Sequence, residues 1–188
     1  MGRVKRRLAR EIGGCAAIRF YRFCLSHTVL RLAADRRWRA VLAVDQGRDP
    51  AIRFSPLRKG FALVPQGDGD LGRRMQRLFN RLPPGPVLIV GSDIPSIRPA
   101  HIAAAFRLLG GADAVLGPAP DGGYWLVGLK RTPRVPAPFA RVRWSGPHAL
   151  ADTLANLKGK RVALAAPLSD VDTAEDLRRE RARAERLI

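Results

Sequence analysis

Four apolar runs of this chain finish in aspartate: WRAVLAVD at Asp45, PVLIVGSD at Asp93, ADAVLGPAPD at Asp121, and RVALAAPLSDVD at the pair Asp170 and Asp172. The chain has 34 basic and only 16 acidic residues, so acids placed this regularly call for a reason. Carboxylates gathered on one edge repel one another unless a cation holds them. A hard ion, Mg²⁺ or Mn²⁺, shared with phosphate oxygens would do so. The competing reading is that aspartate favours turns and caps after strands. For Asp45 the turn is preferred; around Asp93, the neighbours Gly91, Ser92 and Pro95 favour function.

A second feature is the opening MGRVKRRLAR, in which five of ten residues are Arg or Lys. It is open to three readings: an arm for nucleic acid, a targeting peptide, or part of a phosphate site. No apolar stretch of secretory length follows it, so a signal peptide is not expected. The formal charge of +18 would suit a polyanion partner, but most of it is spread along the chain, and 29 of the 34 basic residues are Arg. A solvated basic surface is the simpler reading, and nucleic acid is not the expected partner. Cys15 and Cys24 fit neither a disulfide framework nor a zinc site and are expected to pack as small apolar residues in a cytoplasmic protein. His27, His101 and His148 share no ligand spacing, although His148 lies close to Trp144 in sequence. No P-loop, GxGxxG or Ser/His/Asp pattern is present.

The elements that must position the aspartates alternate. Residues 38 to 45, 61 to 66, 86 to 93, 112 to 121, 122 to 130 and 161 to 172 read as strands or strand-plus-loop units. Residues 8 to 34, 70 to 81, 99 to 109, 147 to 157 and 173 to 187 have helical spacing. Pro99 and Pro147 suit first helical positions, and Thr173 with Glu175 and Asp176 suits a cap with its acidic first turn. Near-continuous Val, Ile and Leu runs imply one α/β domain over 1–188, a three-layer Rossmann-like, mostly parallel sheet with helices on both faces. In such a sheet the carboxyl ends of the strands form the ligand crevice. RTPRVPAPF, residues 131 to 139, reads as a surface loop able to cover it.

Taken together, GDLGRRM (69 to 75), VLIVGSDIPSI (87 to 97), VLGPAPDGGYWLVGL (115 to 129) and LSDVDTAEDL (168 to 177) resemble the bacterial family of radical-SAM/selenodomain-associated transferases. That family is a domain of unknown function with the nucleotide-diphospho-sugar transferase (GT-A-like) fold. It is more distantly similar to molybdenum-cofactor and phospholactate guanylyltransferases. The resemblance implies Asp93 as a ligand of the divalent metal, with Asp170 or Asp172 as a second. Ala174 stands where the family usually has Pro, and helix capping is the alternative role for Asp172. It implies Asp121 as the group that binds a hydroxyl or positions a nucleophile. Gly122 and Gly123 would admit the acceptor, with a tight turn as their alternative, and Trp144 and Ser145 would lie beside it, with core packing the alternative for Trp144. Gln66, Asp70, Gly72 and Arg74, with Gly69 and Leu71, fall where the fold usually faces the nucleotide, though Asp70 also suits a helix N-cap.

The resemblance also gives the opening residues a role. Gly2, Val4, Lys5, Arg7 and Leu8 match the second half of a PxxGxVKTRL loop, with Arg6 in place of Thr, which implies Lys5 and Arg7 on the donor phosphates and Arg3, Arg6 and Arg10 as auxiliaries. The strand that precedes this loop in the family lies mid-sheet and is not found before Gly2. The chain is therefore read as N-terminally truncated relative to the family, with the true start upstream. The activity implied is metal-dependent transfer from a nucleotide-activated donor to an unknown acceptor: glycosyl transfer from an NDP-sugar, or nucleotidyl transfer from an NTP. The alternative is a non-catalytic basic protein of the same fold that binds RNA or an acidic partner.

Overall fold

The structure, a computed structural model, describes residues 5–45, 61–132 and 136–185. Gly2, Arg3 and Val4, and residues 133–135 of the proposed covering loop, lie outside the described residues. The elements run α1 (Arg6–Ile12), α2 (Gly14–Ala33), β1 (Val41–Val44), β2 (Ala62–Pro65), α3 (Leu71–Arg81), β3 (Gly85–Val90), α4 (Pro99–Gly111), β4 (Ala114–Pro118), β5 (Tyr124–Arg131), α5 (Ala149–Asn156), β6 (Val162–Leu164) and α6 (Ala174–Glu185).

The expected helix over residues 8 to 34 is two helices. Gly13, at φ 84° and ψ 148°, ends one and starts the next, a conformation open to glycine and strained for any other residue. Pro99 opens α4 as expected. Pro147 instead stands before α5, which begins at Ala149 after the N-cap His148, and its backbone lies close against Gly122.

The described strands form two sheets, a parallel pair and a mixed four-stranded sheet, rather than one mostly parallel sheet. One ladder pairs β1 with β2 in parallel; the other has the order β3-β5-β4-β6, in which β5 runs antiparallel to both β3 and β4 while β4 and β6 are parallel. The cause is loop length. Only residues 119 to 123 join β4 to β5, and a parallel return needs a crossover of about a dozen residues or more. β3, β4 and β6 still point the same way, so their carboxyl ends share one edge.

Alternation along the two central strands feeds two cores. Val115 and Leu126 pack with Ile102, Ala105 and Leu109 of α4. Ala114, Leu116, Val127 and Leu129 pack with Met75 and Phe79 of α3. A third cluster joins the chain's two ends: Leu8 and Ala17 bury against Val171 and Leu177, with Ile12, Phe20 and Ala174 around them. Each Leu or Val side chain in these clusters contributes roughly 1.5–3 kcal/mol on full burial. Among the described residues no helix is long and apolar enough to cross a membrane.

Candidate functional site

Lys5 sits immediately before α1 with a left-handed backbone, φ 52° and ψ 48°. Three residues on, Leu8 is fully buried against the Val171 and Leu177 cluster, and Glu11 Oε2 accepts the N–H of Ala174 at 2.9 Å. Docking of α1 on the start of α6 thus carries Lys5 to the carboxyl edge of the sheet.

There its ammonium lies 2.8 Å from Asp93 Oδ2, 3.5 Å from Asp172 Oδ1 and 3.7 Å from Asp170 Oδ2. The Lys5 side chain is only 4% exposed, while the three carboxylates remain 34–38% exposed. Burial alone would push the Lys5 ammonium down. The carboxylates, Asp93 first, more than offset it and hold the group above its ordinary value, so Lys5 is a permanent cation. Asp170 is displaced upward: burial is the main cause, Lys5 opposes it, and Asp93, Asp172 and Asp121 reinforce it. One ammonium therefore does not compensate the set. Arg7, exposed, adds a longer contact of 3.5 Å to Asp172 Oδ2.

Both loops that carry these carboxylates are braced. Gly91 N–H bonds Trp125 O at 3.0 Å as β3 ends, and Val171 N–H reaches Asp93 O at 3.4 Å. Arg31 of α2 donates to the carbonyls of Pro95 (3.4 Å) and Ile97 (3.0 Å). Asp176 Oδ2 accepts from the N–H groups of Asp172 (3.2 Å) and Thr173 (2.9 Å) and from the Thr173 hydroxyl (2.7 Å). Its own N–H returns to Thr173 Oγ1 at 3.2 Å, closing a reciprocal capping box.

Sequence reasoning placed Asp176 in the cap at Thr173 but did not assign Arg31. The Thr-x-x-Asp spacing announces the cap, whereas Arg31 is one arginine among many. Burial would raise the Asp176 carboxyl, but these hydrogen bonds and Arg179 outweigh it and hold it below its ordinary value. Its stabilising contribution is therefore complete above the unfolded carboxylate value of about 3.9 and fades as pH falls below it. Asp176→Ala should cost about 1 kcal/mol at neutral pH. The gap between the urea midpoints of variant and wild type should narrow as pH falls below about 4; a gap that stays unchanged through that range would contradict this.

Asp121, exposed, accepts the Gly123 N–H at 2.9 Å, and Gly122 turns the chain with φ 82°. The Gly122 carbonyl takes the Leu150 N–H at 3.0 Å, which ties this turn to the start of α5. Ser145 is exposed with φ 63°. Trp144 packs at 6.3 Å from both the Tyr124 and Phe139 rings and belongs with the α3-side core, its core alternative.

The nucleotide-facing candidates form a second group with local partners. Asp70 caps α3 by accepting Arg73 N–H at 2.8 Å. Gly72 is buried where a side chain would strike Trp144 and Phe139. Gln66 Nε2 donates to Ala43 O at 2.9 Å. Arg74 donates to Gly69 O at 2.9 Å and stands 3.6 Å from Asp45 Oδ2. Of the cysteines, Cys24 is buried as expected, its thiol pushed up to about 12 chiefly by burial, whereas Cys15 is exposed. His148 precedes α5 as its N-cap.

Among the described residues no group of three or more His, Cys, Asp or Glu side chains is already disposed around a metal position; what gathers Asp93, Asp170 and Asp172 is Lys5. Their chemistry nonetheless fits a hard divalent cation. Three carboxylates face one buried ammonium, with exposed Arg7 at the rim of the group, and carboxylate oxygens are the donors such an ion takes.

Fold and site define a mixed α/β protein with a charged cluster at the carboxyl ends of its parallel-pointing strands. Residues 28–146 match the family model DUF2064, an uncharacterized protein conserved in bacteria, and the chain belongs to that family. Among solved structures it is similar to a Desulfovibrio desulfuricans G20 protein named "putative nucleotide-diphospho-sugar transferase", with 29% identity and a TM-score of 0.76 over 94% of this chain and 79% of that one. A homolog of Mycobacterium tuberculosis rv0371c from Mycobacterium sp. strain JC1 shares the fold, with 18% identity and a TM-score of 0.59 over 87% and 84% of the two chains. No curated protein matches.

Proposed function

We propose that this chain is a metal-dependent transferase that takes a glycosyl group from a nucleotide-diphospho-sugar. The observation that carries the reading is the convergence of Asp93, Asp170 and Asp172 on one buried ammonium at the carboxyl edge of the sheet. Likeness to the Desulfovibrio protein supplies the donor class.

Asp93, with Asp170 or Asp172, would hold Mg²⁺ or Mn²⁺. A cation there neutralises charge developing on a diphosphate leaving group, worth several kcal/mol of barrier. Lys5 and Arg7 supply positive charge to the donor phosphates at the same edge. Gln66, Asp70, Gly72 and Arg74 form the side assigned to the nucleotide. Asp121 receives the proton of an acceptor hydroxyl as its oxygen bonds to the sugar carbon and the carbon–phosphate-oxygen bond breaks, the electron pair leaving with the nucleoside diphosphate. Gly123, whose missing side chain would abut the Asp121 carboxylate, keeps that carboxylate open to the oxygen, and Gly122 makes the turn that presents it. Ser145 and the edge of Trp144 are the residues assigned beside the acceptor. Catalysis of this kind is mainly positioning and charge compensation.

Nucleotidyl transfer from an NTP uses the same parts and differs in its product. Incubation with Mn²⁺, a panel of NDP-sugars and a panel of NTPs separates the two chemistries. Release of nucleoside diphosphate from one NDP-sugar is expected; pyrophosphate release from an NTP with no NDP-sugar turned over would replace glycosyl with nucleotidyl transfer.

A further inference from the structure

The carboxylates proposed to hold the metal already enclose a cation that belongs to the chain. Lys5 Nζ stands 2.8 Å from Asp93 and within 3.7 Å of Asp170 and Asp172. A Mg²⁺ ion needs its oxygens at about 2.1 Å in a nearly fixed geometry. The three carboxylates cannot close to that distance on an ion while an ammonium sits among them.

We propose that Lys5 is the resident counter-ion of this site, and that a divalent cation enters only by displacing its ammonium, so that Lys5 itself sets the affinity for free metal. The inference rests on the transferase reading in so far as that reading places a metal at Asp93. Three further observations support it. α1 is anchored independently of the ammonium, by Leu8 in its apolar cluster and by the Glu11 contact to Ala174. Lys5 lies outside the helix in a left-handed conformation that L residues other than glycine rarely adopt. Its charge is carried on a flexible four-carbon stem, which can swing away without moving the backbone.

Lys5 among the carboxylates offsets their mutual repulsion. With the ion in place, Lys5 is released beside Arg7 on the donor side. The site would thus exchange one cation for another, and metal binding would be coupled to freeing a second positive group for the donor.

The test is calorimetric titration of Mn²⁺ alone into the full chain as wild type, Lys5→Met and Lys5→Arg. Removing a competing unit charge within 4 Å should let Lys5→Met bind Mn²⁺ about tenfold or more tightly than wild type, whereas Lys5→Arg, which keeps the charge, should stay weak. Lys5→Met leaves its carboxylates uncompensated and is expected to melt early; Mn²⁺ should then raise its midpoint by more than that of wild type, since a tighter ligand stabilises more at the same concentration. Equal affinity and equal thermal response in wild type and Lys5→Met would overturn the displacement and leave the transferase reading standing. No Mn²⁺ binding to any of the three chains would overturn the displacement and remove the metal from the functional reading as well.

Discussion

Asp93→Asn is expected to lower the rate of transfer by about three orders of magnitude, the loss that follows when several kcal/mol of charge compensation is withdrawn from the transition state. The substitution keeps the side chain's shape and removes only its charge. Asp93 is the closest partner of Lys5, at 2.8 Å, yet Asp170 and Asp172 remain as ion-pair partners, and the Asp93 backbone carbonyl still accepts from Val171. A stability loss near 1 kcal/mol is therefore the expected structural cost. The rate is read from nucleoside diphosphate released with Mn²⁺ present, and the fold from a thermal melt. A folded Asp93→Asn that turned over like wild type would remove Asp93 from the chemistry.

Gly122→Ala should have the largest effect on stability, about 3 kcal/mol. Two independent demands meet at this residue. Its φ of +82° is strained for any L side chain. A Cβ there would also lie 2.6 Å from Pro147 Cα and overlap that residue's carbonyl. Both are backbone atoms that no rotamer change can move aside. The segment cannot simply retreat, since the Leu150 N–H bond to Gly122 O holds the first turn of α5. Gly123 is the internal control. The nearest atoms to a Cβ at Gly123 are those of the Asp121 carboxylate, at 3.1 Å, so Gly123→Ala should cost about 1 kcal/mol or less and should disturb Asp121 rather than the fold. Urea midpoints of the two variants measure the contrast, and equal midpoints would contradict it.

What the sequence made legible follows from what is local. The aspartates after apolar runs identified one edge of the sheet, and three of them meet there. The reciprocal cap at Thr173 was readable from residue spacing, and so was the Asp70 cap, although the nucleotide role competed for Asp70. Lys5 was expected on phosphate; its arrival among carboxylates depends on Leu8 and Ala17 burying against Val171 and Leu177, a contact between opposite ends of the chain that no local pattern specifies. The expectation of a mostly parallel sheet did not foresee the antiparallel β5, because a run of buried apolar residues looks the same whichever way the strand runs. The five residues between β4 and β5 held the answer, being too few for a crossover. Gly13 was similar: helical spacing continues through it, and only its backbone conformation divides α1 from α2. Arg31, whose donors hold the Asp93 loop, carried no signal in a chain so rich in arginine.

The carboxylate edge as a donor site is tested most directly by equilibrium binding. A panel of NDP-sugars, titrated calorimetrically into wild type and Asp93→Asn with and without Mn²⁺, isolates the claim from the unknown acceptor. The account predicts that at least one NDP-sugar binds wild type only when Mn²⁺ is present, and binds Asp93→Asn at least about tenfold more weakly. Binding that is indifferent both to Mn²⁺ and to the Asp93 charge, or no binding of any NDP-sugar, would contradict it.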